Sequence, residues 1–198
     1  MKRSAALILM ATLLTMSPVL MSFSSASTPS QGKLNSQLLS LRQMPAGWTT
    51  HSPSTANEAG CLKNLLEPRG VTQTRSAEVL FVAKGDLPIL DEKLATYSNA
   101  NRAYAKIIAA INACKVVNGL SPSGHRVTGS VTKVAWTHYG NASSAYVMTL
   151  SSLGVTLHYD YLIVRKNQTI VGILEANAFS VNTSQFRSFV VKALAKVK

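Results

Sequence analysis

At 198 residues the chain has the length of one domain with a real core, and 20 lysines and arginines against 8 acidic residues give it a formal net charge of +12. That balance favours adhesion to anionic matter. The basic residues are nevertheless scattered (Lys63, Lys84, Lys106, Lys133, Lys166, Lys192), with no block of five or six and no aromatic-interleaved run, so nucleic-acid binding is not expected.

Residues 1–26 read as a cleaved signal peptide. Lys2 and Arg3 form a short positive region, an apolar run follows from Ala5 to Leu14, and Ser24-Ser25-Ala26 offers small residues for cleavage after Ala26. Thr12, Thr15, Ser17 and Pro18 interrupt the apolar run, whereas a retained spanning helix needs about 20 consecutive apolar residues. No cysteine stands near the cleavage site to take a lipid, and no later run is long enough to cross a membrane. The mature chain is therefore expected to be secreted or otherwise extracytoplasmic, with no transmembrane segment.

Residues 27–33 read as a flexible tether, and 34–198 as a single domain. Leu34, Leu38, Leu39 and Leu41 predict a short amphipathic helix closed by Met44-Pro45-Ala46-Gly47, with Trp48 as a core anchor. Residues 49–60 are rich in Ser, Thr, Pro and Asn and read as loop, and Cys61–Leu66 as a helical turn. Thr74–Ala83 is an apolar-on-both-faces strand expected in the interior of a sheet. Gly85-Asp86 is then expected to open a helix, with Asp86 as N-cap, Pro88 in the first turn, Asp91 and Glu92 on the dipole, and Leu90, Leu94 and Tyr97 buried.

A second helix is expected from Asn101 to Val117, because Tyr104, Ile107, Ile108, Ile111 and Cys114 recur at three- and four-residue steps. Cys61 and Cys114 are the only cysteines, and in an oxidising compartment such a pair forms a disulfide. The loop it closes is worth roughly 4 kcal/mol in the chain-entropy picture. A thiol nucleophile would need a neighbouring base, and no histidine lies near either cysteine in sequence. Strands at 126–137, 143–151, 154–165 and 169–178 form a meander, and a last helix spans Thr183–Val197. The fold class is α+β: an antiparallel sheet of about five strands packed with helices, one of them C-terminal.

With this layout on the page, the chain resembles the secreted and lipid-anchored actinobacterial proteins related to the extracellular sensor domain of mycobacterial receptor serine/threonine kinases. The resemblance rests on the leucine-rich first helix running into Pro45-Ala46-Gly47-Trp48, the order cysteine, strand, helical pair, cysteine, and the segment Tyr161-Leu162-Ile163-Val164-Arg165-Lys166-Asn167. In outline it is also similar to the wider PsbP-like sheet-and-helix sandwich. It covers about residues 34–197 and implies a non-enzymatic extracytoplasmic domain with a ligand cleft. The chain departs from those kinases in carrying one cysteine pair where they commonly have two, and in having no kinase attached. The resemblance brings no catalytic residues.

Motif by motif, the chemistry is sparse. Gly119-Leu120-Ser121-Pro122-Ser123-Gly124 lacks the spacing of a nucleophile elbow. Zinc-protease, redox, phosphate-loop and dinucleotide signatures do not occur. No metal or cofactor is expected. His158 and Asp160 stand two apart on a strand and so share a face. With His138 from an earlier strand end they form a candidate polar ligand site. Arg165, with Lys166 and Lys133, is a candidate anion contact. Asn141, Asn167 and Asn182 head glycosylation sequons. These features predict a secreted sensor-like binding module for a small or polymeric anionic ligand of the cell envelope. The rivals are a secreted hydrolase using His125, His138 or His158 as base, and a basic adhesion protein that salt would release.

Overall fold

Eight strands form one antiparallel sheet with helices on both faces, and the computed structural model describes residues 30–52, 59–121 and 123–198 of it. In chain order the elements are α1 (Gln31–Gln37), β1 (Trp48–His51), β2 (Gln73–Ala83), β3 (Ile89–Tyr97), α2 (Ala100–Ala113), β4 (Val116–Leu120), β5 (Arg126–Val134), β6 (Ala142–Ser152), β7 (Val155–Lys166), β8 (Thr169–Asn177) and α3 (Thr183–Lys196). Across the sheet the order is β1-β2-β3-β8-β7-β6-β5-β4. The signal peptide and the start of the tether lie outside the described residues. Among the described residues no helix is long and apolar enough to cross a membrane.

The α+β class and the closing helix agree with expectation, but the sheet has eight strands rather than about five. The three extra strands are β1, β3 and β4, and each has a physical cause. The helix expected after Gly85-Asp86 is the strand β3. Gly85 and Asp86 take positive φ (91° and 70°), and the Asp86 amide donates to the Ala83 carbonyl at 3.1 Å, so the chain reverses here and returns as a hairpin with β2. Asp86 thus serves the turn and caps no helix. The second helix stops at Ala113 instead of Val117, where the β-branched pair Val116-Val117 begins the edge strand β4. Residues 48–51, expected as loop beyond Trp48, pair with the end of β2 from Ala83 to Leu80. The tether expected over 27–33 is helical from Gln31, because the Ser30 side chain accepts a hydrogen bond from the Lys33 amide and caps α1.

Alternation along the strands makes two cores. On one face α2 lays Ala103, Ile107 and Ile111 over Tyr97, Ile163 and Ile170. On the other, α1 and α3 bury Leu34, Phe186, Phe189 and Val190 against Phe81, Leu94, Leu162 and Val171. Edge-to-face pairs fix α3 at two points along its length: Trp136 with Phe186 (5.8 Å) and Trp48 with Phe189 (5.5 Å). Trp48 is the anchor its sequence position implies, buried at the start of β1.

Candidate functional site

The α2 face of the sheet is only partly covered by its helix, and beside α2 the chain builds a cavity of about 90 Å³. Its roof is the segment that follows Cys61, contributing Leu62, Leu65 and Leu66. Its floor comes from five strands. Glu78 on β2 faces Lys93 on β3, which faces Gly172 on β8; one row further, Asp91 faces Leu174 and Leu174 faces Tyr161 on β7. Tyr159 pairs with Met148 on β6, and Leu150 completes the wall.

The roof is tied down by two separate bonds. Cys61 and Cys114 are disulfide-bonded, which joins the roof to the end of α2 as the sequence predicted. On β3, the Tyr97 hydroxyl donates to the Leu66 carbonyl. A close backbone crossing adds a third constraint: a Cβ on Gly119 of β4 would stand 2.5 Å from the Gly60 amide nitrogen, so only glycine admits the contact. At the floor, a Cβ on Gly172 would lie 3.0 Å from both the Leu66 side chain and the Tyr161 hydroxyl. Glycine there keeps the floor below its roof.

Polarity is graded along this floor. Glu78 and Lys93 form an ion pair at 3.6 Å with both side chains largely shielded. Burial pushes the Tyr161 hydroxyl far above the usual tyrosine range, and the nearby charges of Asp91, Tyr97 and Glu78 push it further. Burial alone raises Tyr159 to about 12. Both phenols are therefore neutral hydrogen-bonding groups at any physiological pH. Leu150 and Tyr159 also line a second groove of about 270 Å³, with Ala59, Val127, Val155, Leu157, Ser121 and His125. His125 bonds Ser121 through its backbone amide at 3.2 Å, so this contact is a turn bond and not a ring-activated hydroxyl.

The candidates read from the sequence fall elsewhere. His158 and Asp160 do share a face, the α3 face, where they stand opposite Asn177 and Glu175 of β8. His138 is exposed in the segment before Tyr139, whose amide bonds Ser143 at the end of the sheet where Ser143 pairs with Val164. Six residues of β7 separate that row from His158, roughly 20 Å of strand. Among the described residues no group of three or more His, Cys, Asp and Glu side chains is placed to hold a metal. Arg165 faces α2, close enough to act on the Tyr104 hydroxyl, whereas Lys166 reaches the Leu194 carbonyl of α3 at 2.9 Å on the opposite face. Lys133 sits with Lys115 and Asn112 beside the end of α2. The structure thus brings His158 to Asp160 and keeps His138, Arg165, Lys133 and Lys166 apart. Two sequon asparagines do structural work: Asn141 accepts from the Asn167 amide at 2.7 Å, and Asn182 caps α3 through the Gln185 amide.

Asp91 and Lys93 escape sequence reasoning because helix-opening chemistry hides their strand, whereas Glu78, Tyr161 and Gly172 lie on expected strands and come together only through the sheet order. Strand alternation from Ile89 to Tyr97 would have placed both on one face with Tyr97.

No family model matches the chain, and no curated protein matches it significantly. Among solved structures it is similar to the extracellular domain of PknH from Mycobacterium tuberculosis, with a TM-score of 0.62 and 13% identity, covering 86% of this chain and 97% of that one. An uncharacterized protein from Mycobacterium smegmatis aligns at a TM-score of 0.46 and 12% identity over 79% of this chain and 92% of that one. The fold is thus that of a mycobacterial kinase extracellular domain, which is the resemblance carried by the sequence.

Proposed function

We propose that this chain is an extracytoplasmic, sensor-like binding domain without catalytic activity of its own, and that its ligand occupies the cavity between the Cys61–Leu66 roof and the sheet. The observation that carries this reading is the cavity itself. Protein interiors are normally filled to crystal-like density, yet here five leucines, two tyrosines and a mid-strand glycine line open space beside an ion pair. Concave, mostly apolar sites with a few convergent polar groups are the usual form of small-ligand sites. The extracytoplasmic placement draws support from the Cys61–Cys114 bond, since such bonds persist in oxidising compartments. The sequence of residues 1–26 and the similarity of fold to an extracellular domain point the same way.

Native mass spectrometry of unreduced protein from a secreting host tests the reading. An extra mass released on denaturation is expected for the wild type. It is expected to be absent from Gly172→Leu, checked to be folded, whose first side-chain carbon already crowds Leu66 and the Tyr161 hydroxyl at 3.0 Å and whose remaining atoms must displace the roof or enter the cavity. An adduct carried equally by both proteins would place the ligand elsewhere and reject this site.

A further inference from the structure

The net charge of the chain predicts an anionic ligand. We infer instead that the cavity takes the end of an unbranched, uncharged chain whose head group is a hydroxyl or amide, an inference that rests on the cavity being the binding site. Its lining holds three charged side chains, Glu78, Asp91 and Lys93. All three are already engaged within the protein: Glu78 and Lys93 pair with each other at 3.6 Å, and Asp91 takes part in an interaction of its own. A ligand carboxylate reaches Lys93 only by drawing it from Glu78, and a ligand ammonium reaches Glu78 only by drawing it from Lys93. Either exchange leaves one protein charge without its partner at a largely shielded position, while the ligand's own ion gives up its water. A hydroxyl or amide avoids that cost. It accepts from the Lys93 ammonium or donates to the Glu78 carboxylate with the pair left standing, since each ion has hydrogen-bonding capacity beyond one contact. The Tyr159 and Tyr161 phenols are neutral across the physiological range and bring no further charge to the lining.

Shape follows from size. The cavity measures about 90 Å³, and much of its wall is apolar: Leu62, Leu65 and Leu66 above, Met148, Leu150 and Leu174 below. A dry apolar cavity of roughly 150 Å³ is one that admits benzene. By that proportion the space here holds about four carbons, which excludes a ring and suits the end of a chain. Lys93 and Glu78 retain 21% and 23% of their side-chain exposure, so they mark the mouth. The head group stays beside them while the tail lies under the leucines of the roof. Met148, unbranched and flexible, adjusts to the terminus of the chain.

The test titrates the full disulfide-bonded protein with 1-hexanol, hexanoate, hexylamine and cyclohexanol at neutral pH, each followed by the amide NMR signals of the residues lining the cavity. 1-Hexanol is expected to bind about tenfold tighter than either ion, and about tenfold tighter than cyclohexanol, which carries the same number of carbons and one hydroxyl in a ring. Glu78→Gln, checked by thermal unfolding to be folded, releases Lys93, and hexanoate is then expected to bind about as tightly as 1-hexanol. Either ion binding the wild type as tightly as 1-hexanol, or no gain for hexanoate in Glu78→Gln, overturns the uncharged head group. Cyclohexanol matching 1-hexanol overturns the chain end. If any probe moves these signals in the wild type and not in a folded Gly172→Leu, the cavity stands as the site whatever its preferences. No response to any probe overturns the site and the inference together.

Discussion

Glu92 and Glu175 are carboxyl groups set into the apolar layer on the α1 and α3 face of the sheet, each with essentially no solvent exposure. Glu92 accepts the Leu39 amide at 2.6 Å and has Lys196 nearby, but burial dominates and its pKa rises to about 7. Glu175 has no hydrogen-bond partner on either oxygen among the described residues, and its pKa also rises to about 7, from burial first and then from the neighbouring Asp160. The sign of the linkage is fixed by these raised values. A carboxyl that prefers its proton in the folded state contributes most below its unfolded pKa near 4.5, and that contribution is lost as pH rises through 7. Stability is thus expected to fall between about pH 4.5 and 7.5. Glu175→Gln should flatten that fall and raise stability at pH 8 by about 1–3 kcal/mol, read from urea unfolding at the two ends of the range. A variant that loses stability equally at pH 5 and pH 8 would show that the ionised carboxylate has a partner in the folded protein. These two acids were not legible as buried: in sequence Glu92 sits between Asp91 and Lys93 like a residue of a solvated helix face.

At the scale of elements, what was legible had a clean period. The 3.6-residue stripes of α2 and α3, and the long strands β2 and β5 to β8, emerge within a few residues of their expected ends. Elements whose identity depends on a turn conformation or on a distant partner did not. Residues 86–97 carry good helix-opening chemistry, with a possible cap, a proline and two acids, but the Gly85-Asp86 turn and two flanking strands decide otherwise. β1 has only four residues, and β4 lies against the distant roof segment at Gly60. Gly85→Ala tests the hairpin directly. A Cβ at this position meets nothing within 4 Å, so the cost is that of an L-residue held at φ 91°, about 1 kcal/mol by urea unfolding. A residue preceding an ordinary helix cap would tolerate the same change almost without cost.

On the scale of the whole molecule, the sheet is a partition between two unequal chambers. The α3 side is packed by α1 and α3, with aromatic pairs at two points along the helix. The α2 side is half packed by α2 and half vaulted by the Cys61–Leu66 segment, which leaves the cavity. The bond that holds the vault was legible in the sequence, because a lone pair of cysteines is expected to form a disulfide in an oxidising compartment. The cavity was not, for its floor collects residues from β2, β3, β6, β7 and β8 that come together only when the sheet order is known. Replacing both cysteines by serine is expected to cost about 4 kcal/mol, the value of a 53-residue closure, and to lower the thermal midpoint accordingly. Loss of bound mass at temperatures where the sheet is still folded would show the vault opening before the partition fails.

The Cys61–Cys114 bond has one more consequence, for the fate of the chain outside its proper redox setting. Cys114 stands two residues before Val116, the start of β4, an edge strand of five residues whose exposed side chains include Val116 and Leu120. In the oxidised protein the base of that strand is pinned, and Gly119 lies against Gly60. Reduction removes that pin and leaves β4 held by its pairing with β5, so any fraying of the short strand would bare the longer edge of β5, a template on which strands of other copies pair. A chain whose disulfide is open is accordingly expected to clump more readily than the oxidised one, which light scattering with and without reductant would read directly.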